Sequence, residues 1–309
     1  MELTVKFSAP GRCGIIGNPS DIYGGKVLSC SLPLRNSVTI EIGETTKPNL
    51  PDDRRLWNAA LAELPLTAPV KEVKYESEVP KSSGLAGSTA LLSALVAAIR
   101  FLRNEPFHPS PELAEQVRYI ERHHAEVMCG YQDAYMTVHG GLQLMNFAGK
   151  HPVQPGPAAS LQPVKAELPF LIITTGVERL SGSVHGPMSE RWLAGEAAVV
   201  DGIAAISALA EPGAAALQTG DWSTLAAAMT ENQRIIRELG GSGDQIDELI
   251  ARCLEHGAFS AKLAGAGLGG TVIALTQDAA GLEEKLRENG YSRFTRPVIS
   301  EGVRQETSG

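Results

Sequence analysis

Two hydrophobic periods alternate along the first third of the chain. Over 72–79, apolar Val73, Tyr75 and Val79 alternate with charged side chains, and this period of two predicts a half-exposed strand that Pro80 ends. After the turn KSSGLAGS, the tract TALLSALVAAIRFL is apolar enough to predict a mostly buried helix. We therefore predict a strand, a Gly/Ser loop and a helix in succession.

A second helix is predicted from its capping signals. Ser110 supplies a hydroxyl for an N-cap, Pro111 suits the first helical turn and Glu112 adds an early acidic residue. The side chains that then recur at spacings of three and four, as one helical face requires, are Leu113, Val117, Ile120, His124 and Val127. The pattern predicts a helix over 110–128 that stops before Gly130.

The second half of the chain mixes strands and helices. A polar, proline-rich stretch at 151–163 is the candidate boundary between domains 1–165 and 166–309. Beyond it, PFLIITT predicts a buried strand, and two more strands at 259–263 and 271–275 flank a glycine turn. Helices are predicted over 189–209, 222–239, 245–256 and 279–288. The fold class is therefore α+β or α/β.

Composition narrows the classes of function. The chain carries 27 Lys and Arg against 35 Asp and Glu, a net charge of −8, which argues against a general nucleic-acid binder. Its four scattered cysteines form no C-x-x-C pair, so neither a thiolate zinc site nor a disulfide framework is expected. The N-terminus lacks an apolar signal core, and the most apolar helix stops at Arg100, short of the ~20 residues of a membrane span. We expect a cytoplasmic protein with no membrane partner.

Four loops carry residues suited to chemistry. At 81–89, serines and glycines precede a helix whose N-terminal N–H groups attract phosphate, although the Walker lysine is missing and a simple capped turn is the alternative. The G-x-G-x-x-G at 265–270 is followed by a strand, which counts against NAD or FAD and favours a hairpin turn. Arg12 and Asp21 lie in the glycine-rich stretch APGRCGIIGNPSDIYGG, where a surface hairpin is the alternative. Asp133 follows a predicted helix end, where a helix cap and a catalytic residue are the alternatives.

Together and in this order, three of these segments resemble the GHMP small-molecule kinases. The matching stretches are APGRCGIIGNPSDIYGG, PKSSGLAGSTA and KLAGAGLGG. The resemblance implies an α+β, two-domain GHMP kinase fold with a ferredoxin-like C-terminal domain and an active-site cleft between the domains. It also implies ATP and Mg²⁺ as cofactors, because phosphoryl transfer depends on positioning and charge neutralisation.

The resemblance assigns roles to individual residues. Ser88 or Thr89 would reach Mg²⁺, which hydroxyl being left open, and Glu121 resembles the family's acidic metal ligand, with a solvated helix carboxylate as the alternative. Asp133 matches the family's base for the acceptor hydroxyl. Arg12 would keep that carboxylate ionised and steady the moving negative charge. The phosphates of ATP would be wrapped by Pro80, Lys81, Ser82, Ser83, Gly84, Leu85, Ala86, Gly87, Ser88 and Thr89.

Subfamily signals point toward a sugar acceptor. GYQDAY resembles both glucuronokinase and the heptose 7-phosphate 1-kinases, and GNPSDIYGG and VPKSSGLAGSTA are most similar to glucuronokinase. We therefore expect a sugar 1-kinase with glucuronate as the leading substrate. A uronate carboxylate needs a cation, and Arg179, His185 and Arg191 are candidates, each with a surface role as the alternative. The other expected substrate-binding residues are Asp21, Tyr23, Gly265, Ala266 and Gly267.

Other acceptors remain open. The stretch from MTENQRIIRELG to AKLAGAGLGG is more similar to mevalonate kinase, which keeps mevalonate as an alternative, and a heptose 7-phosphate is a second one. A ligand-binding homologue without catalysis is a third, disfavoured because Asp133 is present. The expected partner is a small sugar or sugar acid, and the sequence allows a homodimer.

Overall fold

A computed structural model of the chain describes residues 3–154, 156–176, 182–265 and 270–307. Its strands are β1 (Leu3–Ile16), β2 (Lys26–Ile42), β3 (Val70–Ser77), β4 (Leu142–Asn146), β5 (Ser160–Pro163), β6 (Phe170–Thr174), β7 (Ser260–Leu263), β8 (Thr271–Leu275), β9 (Arg293–Thr295) and β10 (Arg304–Gln305). Its helices are α1 (Arg55–Glu63), α2 (Gly87–Leu102), α3 (Pro111–Tyr119), α4 (Gln132–His139), α5 (Gly182–Leu193), α6 (Ala197–Ala208), α7 (Ala210–Thr219), α8 (Trp222–Glu238), α9 (Asp244–Glu255) and α10 (Ala279–Glu288).

The first sheet is antiparallel and has the order β10-β1-β2-β4-β5, with β3 paired to β2. Its main feature is the long β1–β2 hairpin, whose register shifts between Pro10 and Arg12 and again between Gly14 and Ile16. The surface hairpin considered for the N-terminal glycine-rich stretch is therefore wrong, since Arg12 lies inside a buried strand. Gly11 and Gly14 lie in this irregular part of β1, where bulges let the backbone change direction without leaving the sheet.

The second sheet has the order β7-β8-β6-β9 and is also antiparallel. The three strands predicted in this half are confirmed as β6, β7 and β8. Two separate sheets, each with helices packed on it, make the fold α+β, as expected. The last strand, β10, pairs with β1, at Phe7 with Gln305 and Ser8 with Arg304, so the end of the chain returns to the first sheet.

Two predicted helices are broken in the structure. The Ser110 cap is confirmed, because its Oγ accepts from the N–H of Leu113, but α3 ends at Tyr119 and a π-helical turn, Ile120–His124, follows. The helix predicted over 189–209 is two helices, α5 and α6, with a turn at 194–196 between them. In both places the apolar period continues through the break, so periodicity alone could not reveal it.

Three helices, α1, α4 and α7, were not predicted. Helix α7 contains Pro212 and Gly213, which argue against a helix by propensity. Pro212 is tolerated because it lies in the first turn, where its missing N–H would have no partner. Gly213 packs directly onto Ile16 of β1, so tertiary packing decides this helix.

Three apolar cores hold the elements together. The first lies under the first sheet and is centred on α2, which is buried along most of its length. The second is shared between the two sheets, with Leu28 and Cys30 from the first facing Phe170 and Ile273 from the second. The third lies between the second sheet and α5, α6, α8, α9 and α10. The shared core fixes one sheet against the other.

One helical stretch, Ala197–Thr219, is long and apolar enough to pass a test for a membrane span, with a mean hydropathy of 1.3. Four of its large apolar side chains, Val199, Ile203, Ile206 and Leu217, are buried in the protein cores, and 33% of its most apolar window is buried. Core helices pass the same test, so the stretch is weak evidence for a membrane span.

Candidate active site

An ion pair between Arg12 and Asp133 lies at the centre of the candidate site. Arg12 extends from β1 and is buried, and its Nε and Nη2 donate to Oδ1 of Asp133 at 2.8 and 2.6 Å. Asp133 lies in the first turn of α4, not directly after a helix as predicted, since the preceding helical turn ends at His124. The contacts to Oδ1 leave Oδ2 as the oxygen that can face another molecule.

The same guanidinium reaches the Gly/Ser loop. Arg12 Nη1 donates to the carbonyl of Gly84 at 2.6 Å, and the backbone N–H of Arg12 donates to the carbonyl of Leu85 at 3.0 Å. Charge-assisted hydrogen bonds of this kind fix position as well as adding energy. Arg12 therefore joins two segments that are far apart in sequence, the loop at 82–89 and the start of α4.

The backbone of the Gly/Ser loop is shaped to bind an anion. Ser82, Gly84 and Ala86 have positive φ angles of 53°, 74° and 61°, and α2 begins at the next residue without a side-chain cap. Alternating backbone handedness turns successive N–H groups to one side, and a helix start adds about half a positive charge. Ser83 is held inside the loop by its hydrogen bond to the Pro80 carbonyl at 2.7 Å, whereas Ser88 is exposed.

Glu121 lies beside the start of α2. Both of its carboxylate oxygens accept from Thr89 Oγ1, at 3.0 and 2.8 Å, and the side chain is buried. Burial raises the pKa of Glu121 to about 7, Thr89 opposes that rise by hydrogen bonding, and the nearby charge of Asp133 adds to it. The π-helical turn at Ile120–His124 places Glu121 here, a position that an unbroken helix would not reproduce.

These residues fit a magnesium ion. Mg²⁺ takes oxygen ligands and is usually held by one or two carboxylates together with substrate phosphates. Glu121 supplies the carboxylate and Thr89 and Ser88 supply hydroxyls next to the loop. Within 3–154, 156–176, 182–265 and 270–307, no group of three or more His, Cys, Asp or Glu side chains could hold a metal alone. A metal here would depend on phosphate ligands as well.

Gly265 and Gly270, the described ends of the glycine segment 265–270, pack onto the Gly/Ser loop. A Cβ on Gly265 would lie 3.0 Å from the Gly84 carbonyl, and one on Gly270, whose φ is 98°, would collide with the Ser83 carbonyl. Thr271 Oγ1 donates to that same Ser83 carbonyl at 2.7 Å. The two ends of the turn therefore rest against the loop, whereas Ala266 and Gly267 lie outside the described residues.

Asp21 holds the start of α4. Its Oδ2 accepts from the backbone N–H groups of Tyr131 and Gln132 at 2.6 and 3.0 Å, and the residue is buried. A carboxylate at a helix start satisfies otherwise unpaired N–H groups. Asp21 lies in the short 3₁₀ turn Ser20–Tyr23, so it links the N-terminal segment to the helix that carries Asp133.

The remaining predicted acceptor residues are less concentrated. Tyr23 is half-buried, with its hydroxyl 3.3 Å from Ser189 Oγ, and burial raises its pKa to about 12. Arg191 is engaged elsewhere, since it pairs with Glu196 at 2.7 Å and donates to the Leu239 carbonyl at 2.8 Å. The side chain of His185 and the whole of Arg179 lie outside the described residues.

Sequence reasoning missed three cations close to these segments. Lys262, in β7, is buried and donates to Asn18 Oδ1 at 2.8 Å. The guanidinium of Arg118 and the ammonium of Lys150 lie 3.7 and 4.2 Å from the ring centroid of Tyr131. A lysine inside the apolar run SAKLA was a signal that could have been used, because a charged residue in a buried strand needs a polar partner.

Comparison with known proteins adds to this geometry. The family model described as the GHMP kinases N terminal domain matches residues 54–141. The family model described as GHMP kinases C terminal matches residues 214–292. Glucuronokinase 1 of Arabidopsis thaliana is 26% identical, over 91% of this chain and 88% of that protein. The mevalonate kinase of Aeropyrum pernix is also 26% identical, over 99% of both chains.

The fold is shared with a solved structure. The galactokinase of Lactococcus lactis, crystallised with galactose, superposes with a TM-score of 0.82 and 17% identity, covering 97% of this chain and 95% of that one. At this identity the superposition shows the fold alone. The two-domain α+β architecture expected from the sequence is therefore confirmed.

Proposed function

The chain belongs to the GHMP kinase family and is accordingly an ATP-dependent phosphotransferase acting on a hydroxyl; we propose that it is a sugar 1-kinase with glucuronate as its preferred acceptor. The observation that carries the catalytic part is the Arg12 guanidinium, which binds Asp133 and the Gly84 carbonyl together. A base for the acceptor and a loop for the nucleotide phosphates then meet at one residue.

The proposed mechanism assigns a task to each residue. The loop at 82–89 holds the phosphates of ATP with its N–H groups. Asp133 Oδ2 orients the acceptor hydroxyl and accepts its proton late in the transfer, since a carboxylate is a weak base for an alcohol. Arg12 fixes that carboxylate and stabilises the negative charge of the moving phosphoryl group.

Mg²⁺ belongs to the same proposal. Glu121 with Thr89 or Ser88 would hold it, and when bound it neutralises charge on the phosphates. Burial without a neighbouring cation disfavours the charged form of Glu121. A bound Mg²⁺ would compensate for that cost, which supports the role of Glu121 as a ligand.

A test of the catalytic assignment is Asp133→Asn. We expect a fall in kcat of about 10²- to 10⁴-fold, the range typical of a lost general base, with ATP affinity within a few-fold of wild type. Asp201→Asn is the matched control, because Asp201 is exposed on α6. Transfer at the wild-type rate by Asp133→Asn would remove the base assignment, while loss of ATP binding would point to a structural role instead.

The acceptor is argued from similarity and from charge. Glucuronokinase 1 is among the relatives that cover nearly the whole chain. A uronate carboxylate needs a cation, and Arg118 supplies a buried one against Tyr131, two residues before Asp133. Within the described part of the chain the Nε of Arg118 has no hydrogen-bond partner. This unsatisfied donor makes Arg118 a better candidate for an acidic acceptor than Arg191.

A phosphotransfer panel with ATP and Mg²⁺ tests the acceptor. It covers glucuronate, galacturonate, galactose, arabinose, heptose 7-phosphate and mevalonate. Glucuronate is expected to have the highest kcat/KM. Transfer to mevalonate alone would favour the alternative that the Aeropyrum pernix relative suggests and would leave the family assignment intact. ATP binding with no transfer to any acceptor would favour a non-catalytic ligand-binding protein.

The variant Arg118→Met tests whether Arg118 binds the carboxylate of glucuronate. We expect its KM for glucuronate to rise about 10-fold or more, as for a lost charge-assisted hydrogen bond, and its KM for ATP to stay unchanged. Arg293→Met, at an exposed position in β9, is the control. An equal loss toward neutral sugars and glucuronate would show that Arg118 supports Tyr131 and does not bind the acid.

The setting of the reaction is proposed with it. We place the enzyme in the cytoplasm, in carbohydrate metabolism, with a small sugar or sugar acid as its partner and no role for nucleic acid or membrane. The acidic net charge of −8 supports the exclusion of nucleic acid. A homodimer stays a prediction, which sedimentation would test.

A further inference from the structure

Lys262 is a charged side chain buried behind the candidate site. It is 1% exposed, and its Nζ donates to Asn18 Oδ1 at 2.8 Å and to the Leu263 carbonyl at 2.6 Å. No ion pair joins it to a carboxylate within the described ranges. Burial lowers the pKa of Lys262 to about 7; the facing groups that shift it further are Cys13, which raises it, and Arg12, which lowers it.

The partner of Lys262 continues the contact to the glycine turn. Asn18 Nδ2 donates to the Gly265 carbonyl at 2.6 Å, so both ends of the amide are used. Asn232 of α8 adds support, since it accepts from Gly17 N–H at 2.9 Å and donates to the Asn18 carbonyl at 3.3 Å. The side chain of Asn18 therefore has one defined orientation.

This group of contacts also touches α4. A Cβ on Gly14 would lie 2.8 Å from Gln132 Oε1 and 3.0 Å from both Asn18 Cγ and the Ala264 carbonyl. Gln132 immediately precedes Asp133. Gly14 therefore lies in close contact with the start of α4, with Asn18 and with Ala264, and Asn18 is the residue that Lys262 holds.

Burying the amine of Lys262 lowers the stability of the fold unless its hydrogen bonds compensate for the lost hydration. Removing an ammonium from water costs several kcal/mol, and an apolar side chain of similar length would avoid that cost. Lys262 recovers part of it through two acceptors that are fixed in the chain. The contribution that an apolar residue could not make is the orientation of Asn18, and through it of the Gly265 peptide.

We propose that Lys262 is a positioning residue of the active site, which through Asn18 fixes the Gly265 peptide against the Gly84 carbonyl and so holds the Gly/Ser loop in place for the nucleotide. The inference rests on the proposed kinase function. It predicts that the effect of Lys262 on catalysis passes through Asn18.

The test is a double-mutant cycle of Lys262→Met and Asn18→Ala, with Lys262→Arg as the conservative variant and Lys285→Met, exposed on α10, as the control. We expect each single variant to lower kcat by about 10- to 100-fold, as small misplacements do. KM for the acceptor should change less than about 3-fold by the same argument, because the acceptor contacts are untouched. The double variant should lose no more than the worse single variant, and Lys262→Arg should recover part of the loss.

Two measurements keep the outcomes apart. Calorimetric titration with a non-hydrolysable ATP analogue reports nucleotide affinity without turnover, and thermal unfolding identifies variants that are merely unstable. If wild type does not bind the analogue, the proposed function fails, and this inference falls with it. If wild type binds and transfers but Lys262→Met matches it in kcat and affinity, the inference alone is wrong. Losses that add independently in the double variant would also overturn it, and if Lys262→Met does not fold, Asn18→Ala and Lys262→Arg decide by the same criteria.

Discussion

Glu121 and Lys262 are both buried ionisable side chains near the Arg12–Asp133 pair, yet they differ in what their surroundings leave available. Each lies near the member of the pair that has its own charge, Glu121 near Asp133 and Lys262 near Arg12. Burial together with that like charge moves both pKa values to about 7, from opposite directions. The acid and the base are therefore perturbed for the same physical reasons.

Their partners separate them. Glu121 accepts from the hydroxyl of Thr89, and its oxygens can still take a cation. Lys262 donates to Asn18 and to the Leu263 carbonyl, groups fixed within the chain. An acid with hydroxyl neighbours can still bind a metal, whereas an amine with two fixed acceptors is already satisfied. The comparison assigns a ligand-dependent role to Glu121 and a permanent positioning role to Lys262.

The largest expected effect comes from changing Glu121, the proposed metal ligand of the two buried residues. Glu121→Gln should raise the Mg²⁺ concentration for half-maximal transfer by about 10- to 100-fold, the range for perturbed metal sites. The cause is the loss of a charged oxygen ligand, and the Mg²⁺ dependence of the initial rate measures it. Glu284→Gln, exposed on α10, should behave as wild type. An unchanged Mg²⁺ dependence for Glu121→Gln would make Glu121 a hydrogen-bond partner of Thr89 and no more.

A steric change at Gly14 tests the close packing around Asn18, the partner of Lys262. Gly14→Ala should destabilise the protein by about 1–3 kcal/mol, as overpacking usually does, because the new methyl group would press on Gln132 and Asn18. Urea unfolding measures the loss. Gly186→Ala is the control, since Gly186 lies inside α5, a Cβ there meets nothing within 4 Å, and alanine favours a helix. Equal stabilities for the two variants would mean that the layer around Gly14 yields easily, which would weaken the role given to Lys262.

The smallest effect is a difference in pH dependence. The folded chain releases the Lys262 proton near pH 7, whereas the unfolded chain keeps it up to the ordinary pKa of 10.5. The unfolded state binds more protons in that window, so this group makes stability rise with pH, by about 1 kcal/mol between pH 7 and 8. The unfolding free energy of wild type should rise by that amount relative to Lys262→Met, and Lys285→Met should follow wild type. Parallel profiles for wild type and Lys262→Met would contradict the lowered pKa.

The sequence determined the elements and the chemistry that depend on local signals. Ser110 predicted its cap, alternation over 72–79 predicted a strand, and three glycine-rich segments in order predicted the family and the residues Arg12, Asp133 and Glu121 as candidates. The cap, the strand and the family are confirmed, because such signals act over a few residues, whereas the roles of the three candidate residues stay predictions. Similarity supplied the acceptor hypothesis in the same way, through short stretches around Asp133.

Tertiary structure alone decided which of these residues meet. The π-helical turn beside Glu121, the burial of Arg12 inside β1 and the pairing of Arg191 with Glu196 could not be read from spacing. The contacts of Lys262 with Asn18 and of Asn18 with Gly265 join residues separated by 244 and 247 positions. No local pattern encodes such contacts, because they depend on how the two sheets pack around their shared core.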